Sequence, residues 1–104
     1  MNLMKMMKQA QQMQKRMGEL QGELAAREFE ASVAGGKVVA RANGAGDVLS
    51  IKIDPAVVDP EDVELLEDLV LSAVKQAVGQ GKEVMQEEMS KMTAGLGLPP
   101  GLGF

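Results

Sequence analysis
Between Leu3 and Leu24 the apolar residues stand at Leu3, Met6, Ala10, Met13, Met17, Leu20 and Leu24, in steps that alternate three and four. A seam of this kind dictates an amphipathic helix, because at about 100° per residue all seven side chains fall within an arc of roughly 100°. The intervening Gln, Lys and Glu residues also favour helix, whereas Gly18 and Gly22 weaken it locally. Lys5, Lys8, Lys15 and Arg16 occupy a similar arc on nearly the opposite side. One face of this helix is therefore built to pack, and the other is basic.

At Arg27 the period changes from helical to two. In "EFEASVA" Phe29, Ala31 and Val33 alternate with Glu28, Glu30 and Ser32, and Gly35-Gly36 offers a two-residue turn into "KVVARAN". A hairpin in this register sets Val33 against Val38, Ala31 against Ala40 and Phe29 against Ala42. Its other face sets Glu30 opposite Arg41, so apolar matching and charge matching agree. "NGAGD" at 43–47 turns the chain into "VLSIKI", in which Leu49, Ile51 and Ile53 share a face, and the expected sheet is a three-stranded antiparallel meander.

"DPAVVDPED" then ends the sheet and opens a helix, with Asp59 as N-cap, Pro60 at the first helical position and Glu61, Asp62 and Glu64 complementing the helix dipole. Leu66, Leu69, Val70, Ala73, Val74, Ala77 and Val78 form a broad stripe able to cover the sheet. Gly79 and Gly81 predict a bend or break, after which Val84, Met85, Met89 and Met92 form a narrower stripe near Lys82 and Lys91. The expectation is an α+β fold forming a single domain over 1–93: a long helical arm at 1–26, the sheet at 27–53, and one long or broken helix pair at 59–93. The glycine- and proline-rich residues 94–104 read as a flexible tail.

Charge is unevenly distributed along the 104 residues. Residues 1–18 carry four basic side chains and no acid, whereas the remainder carry seven basic and fifteen acidic ones, for a formal net charge of -4. A basic arm on an acidic body points to an anionic partner, nucleic acid or a membrane surface. No apolar run approaches the span of about 18 residues that crosses a membrane, and the amino end lacks the apolar core of a secretory signal. The absence of cysteine excludes disulfides and thiolate metal sites. With Phe29 and Phe104 as the two aromatics the core is thin, and a partner subunit would help close it.

The chemistry available to such a chain is limited. It has no histidine or cysteine, and Ser90 and Lys91 are adjacent and do not face each other on a helix, so the reading is not an enzyme. Met6, Met7, Met13 and Met17 crowd one segment as soft copper ligands could, but three of the four lie on the seam, where Met fills a core. The acids at 59, 61, 62, 64, 67 and 68 lack calcium-loop spacing and suit a helix N-terminus, so no metal or other cofactor is expected. "NGAGD" is followed by a strand, not by the helix that a phosphate loop requires.

The basic arm is what remains to be explained. Its cations can reach phosphates, and without aromatics to stack on bases, phosphate contact would dominate. Gln9, Gln11, Gln12 and Gln14 can add hydrogen bonds to sugars or base edges. Two rival readings use the same residues: a protein-interaction module with Met-rich helices, and an amphipathic helix lying on an anionic membrane.

The stretch "GGKVVARANGAGDVLSIKIDPAVVDPEDVELLEDLVLSAVKQAV" at 35–78, with the Met/Gln/Lys helix before it and "EEMSKMTAGLGLP" after, resembles the YbaB/EbfC family of bacterial nucleoid-associated proteins. The resemblance implies a homodimer whose sheets and following helices form a body, with the terminal helices projecting as tweezer-like arms that bind double-stranded DNA and can change its conformation. It also implies a cytoplasmic, nucleoid-associated protein with a part in chromosome organisation or gene regulation, and no membrane or small-molecule substrate as partner. Carried onto this chain, the DNA contacts would fall on Lys5, Lys8, Lys15 and Arg16, with Lys82 and Lys91 as further candidates.

Overall fold
A computed structural model describes residues 2–95; of the tail expected at 94–104, residues 94 and 95 belong to the last helix and the rest lies outside the described residues. The order of elements is helix α1 (Leu3–Ala26), strands β1 (Glu28–Val33), β2 (Val38–Asn43) and β3 (Val48–Ile53), and helix α2 (Val63–Gly95). The Asn2 side chain caps α1 by accepting from the Met4 N–H at 3.1 Å. At its other end the chain turns extended at Arg27, whose N–H returns to the Leu24 carbonyl at 3.1 Å and whose guanidinium lies 5.1 Å from the Phe29 ring centroid.

The sheet is an antiparallel meander in the order β1-β2-β3. Val33 pairs with Val38, Ala31 with Ala40 and Phe29 with Ala42, as the alternation requires. With Val33 and Val38 paired, the connection spans four residues rather than two. Ala34, Gly35 and Gly36 all take positive φ there (55°, 68° and 88°), which two glycines make accessible. Glu30 sits opposite Arg41, yet the Arg41 guanidinium pairs with Glu28, its diagonal neighbour on the same face. The Asn43 carboxamide oxygen organises the second turn by accepting from the Ala45 and Asp47 N–H groups, each at 3.0 Å. A register shift beside Ala42 sets that residue against Val48 and leaves Ile51 and Ile53 opposite Ala40 and Val38.

Helix α2 starts later than expected. Asp59 accepts from the Glu61 N–H at 2.9 Å in a local turn, while Asp62 accepts from Leu65 at 3.3 Å and leads into Val63. From there α2 is continuous through Gly79 and Gly81. It lies across β1 and β2 on a core of Ala31, Val38, Ala40, Ala42, Ala73 and Ala77, flanked by Val33, Val57, Leu69, Val70, Val74 and Val78. Five of the six central residues are alanine, so the helix backbone approaches β2 closely, and little apolar area is buried per residue. The edge strand β3 lies largely beyond this cover, with Leu49 still 47% and Ile51 42% exposed.

Two glycines explain why α2 does not break. Gly81 is buried, and a Cβ there would stand 3.2 Å from the Gly44 Cα and 3.5 Å from Phe29, so a small residue is what lets α2 cross the β2–β3 turn. Gly44 in turn donates to the Leu24 carbonyl at 2.8 Å and the Arg27 carbonyl at 3.2 Å. A Cβ on Gly44 would lie 2.3 Å from the Leu24 oxygen, which is backbone and cannot swing aside. Gly44→Ala is therefore expected to lower the unfolding free energy by about 2–3 kcal/mol, measured by urea titration. Gly81→Ala, whose tighter contacts are offset by gained helix propensity, should stay within about 1 kcal/mol of the parent.

Candidate nucleic-acid interface
The described chain is elongated, 69 × 23 × 17 Å, because α1 and the last turns of α2 run out from the sheet as an arm. Burial along the α1 seam is graded. Leu24 is buried, Leu20, Met17 and Met13 are half-buried, and Ala10, Met6 and Leu3 are exposed. Val84, Met85, Met89 and Met92 of α2 are correspondingly half-buried, and Met92 reaches the level of Met13. The seam packs where α2 accompanies it, and α1 continues beyond.

All four predicted basic residues of α1 are exposed, and Lys5 and Arg16 stand about 16 Å apart along the helix axis. Arg16 borders a cleft between the helices together with Gln9, Gln12, Met13 and Met92. Toward the body the same face changes sign, because Glu19 and Glu23 project within the arc of the four cations. On this face of α1 the run of cations uninterrupted by acid is thus confined to the outer part of the arm, residues 5–16. Lys82 and Lys91 are also exposed, but nine residues apart on a helix they point to opposite sides. Lys91 lies near the level of Arg16 and bonds Glu88 at 3.5 Å, whereas Lys82 lies at the level of the sheet.

The sequence model of the YbaB/EbfC DNA-binding family matches residues 1–96. The chain belongs to this family. It is 52% identical over 99 residues to a nucleoid-associated protein of Clostridium novyi, covering 95% of this chain and 87% of the relative. A nucleoid-associated protein of Akkermansia muciniphila is 45% identical over the full length of both chains. The fold also matches the crystal structure of an uncharacterized protein from Helicobacter pylori at a TM-score of 0.79 and 21% identity, covering 88% of this chain and 97% of that one. The YbaB/EbfC arrangement of helix, three-stranded sheet and helix is thus present here in full.

Two features of the arm were not drawn from the sequence. The reversal of sign at Glu19 and Glu23 was within reach, since a helical projection of Lys5 to Glu23 shows it. The exposure of Met4 and Met7 was not, because their neighbours depend on where α2 ends.

Proposed function
We propose that this protein is a nucleoid-associated, non-enzymatic homodimer that binds double-stranded DNA through phosphate contacts of its arms and alters DNA conformation, nucleoid organisation or gene expression. The observation that carries this reading is the cationic outer face of α1, in which Lys5, Lys8, Lys15 and Arg16 are exposed and α1 itself carries no acid before Glu19. Lys91 is a secondary contact beside Arg16, and Lys82 a more remote one. The DNA-binding description of the family supports a DNA partner, and the names of its relatives as nucleoid-associated proteins support a place in the bacterial nucleoid.

The dimer is proposed to form through β3 and the adjoining flank of α2. Ile53, Leu66, Val70, Leu71 and Val74 line an apolar groove there, and Val48, Leu49 and Ile51 extend it along an unpaired strand edge. Closing this face doubles the arms and brings eight α1 cations to one duplex.

Titration into mixed-sequence duplex DNA at several salt concentrations tests the reading. If half to all of the eight cations neutralise phosphates, log K against log salt should slope at roughly -4 to -7, with little dependence on sequence. Absence of binding at low salt would overturn it.

A further inference from the structure
Met4 and Met7 are large apolar side chains with no packing role in the described fold. Met4 is 79% exposed and Met7 57%, and both lie about 90° or more around α1 from the centre of the packing seam. Their neighbours are Asn2, Lys5, Lys8 and Gln11, with which they line one shallow cleft at the tip of the arm. An exposed apolar pair set among lysines, on a segment without acids, does not suit an apolar helix partner, which would find Leu3 and Met6 on the seam instead. It suits an anionic polymer with an apolar interior, and duplex DNA is such a partner.

We propose that Met4 and Met7 are wedge residues, inserted between base pairs at the end of each arm while Lys5 and Lys8 hold the flanking phosphates. The unbranched thioether is thin, flexible and polarisable, so it can enter a partly opened base step and contact the ring edges. Architectural DNA-binding proteins use side chains of this type to unstack a step and kink the duplex. The cost is lowest at flexible pyrimidine–purine steps, so insertion should favour TA over GC-rich steps. Conformational change then has its origin in two apolar residues rather than in the cations that supply affinity.

This inference rests on the DNA-binding reading, and its test separates the two. Duplexes carrying 2-aminopurine at a central TA step, whose fluorescence rises when stacking is lost, are saturated with the full-length protein. A rise is expected with the wild type and with Met4→Leu/Met7→Leu, but not with Met4→Gln/Met7→Gln. The glutamine variant should keep its salt slope and bind within about fivefold of wild type, because lost insertion and avoided unstacking offset each other. Binding without a rise, or an equal rise with the glutamine variant, overturns the wedge and leaves DNA binding standing. No binding by the wild type at low salt overturns both.

Discussion

Replacing Lys5, Lys8, Lys15 and Arg16 together by glutamate is expected to abolish duplex binding, weakening it by about a thousandfold or more near 0.1 M salt. The outer arm becomes as acidic as it is now basic and joins the acidic face that begins at Glu19. The fold should survive, because all four side chains are exposed and only Arg16 borders the cleft between the helices. Lys15→Glu and Arg16→Glu add like-charge neighbours four and three residues before Glu19, costing about 0.2–0.5 kcal/mol each, while a glutamate at position 5 suits the helix dipole. Replacing the same four residues by glutamine should give an intermediate affinity and a much flatter salt slope. Retardation gels with circular dichroism in parallel check both, and unchanged binding by the glutamate variant would remove these residues from the interface.

The second large effect is expected from Leu71→Glu. Leu71 is 53% exposed in the protomer, so the protomer's own fold needs little from it. In the proposed dimer it sits in the apolar groove with Ile53, Leu66, Val70 and Val74, where an unpaired carboxylate costs about 3–5 kcal/mol. That corresponds to a dimer weakened by about a hundredfold to several thousandfold. Sedimentation velocity across a concentration series should show folded monomer, and the salt slope for DNA should fall by about half as only one arm engages. A dimer of unchanged strength would move the interface away from β3 and α2.

Much of the fold was legible because local pattern and tertiary packing agree in it. The alternating steps of three and four from Leu3 to Leu24 specify α1, and the match of Val33, Ala31 and Phe29 to Val38, Ala40 and Ala42 fixes the first hairpin register. The misreadings fall where a longer-range contact decides. Gly79 and Gly81 look like a helix break, and at about 1 kcal/mol each they are poor helix residues. Yet Gly81 meets Gly44 and Phe29, neighbours that no local window contains. Asp-Pro at 59–60 is a strong initiation signal for α2, but that aspartate closes a turn of its own and Asp62 does the capping. The cations of the arm could be read from their spacing alone. The inner limit of their face and the two stranded methionines required the helix projection and the end point of α2.

The unbroken course of α2 makes the arm a lever with its fulcrum at Gly44 and Gly81. From Leu24 to Met4 the arm extends about 30 Å, so tilting it by about 5° moves its tip by about 2.6 Å, roughly three quarters of the rise of one base pair. Ala73 and Ala77 share the buried core with Ala40 and Ala42, so the spacing of that layer fixes how close α2 lies to the sheet from which the arm projects. In the proposed dimer, one added methyl group in that alanine layer would shift the reach of the arms along a duplex and change the footprint without altering any of the residues proposed to meet DNA.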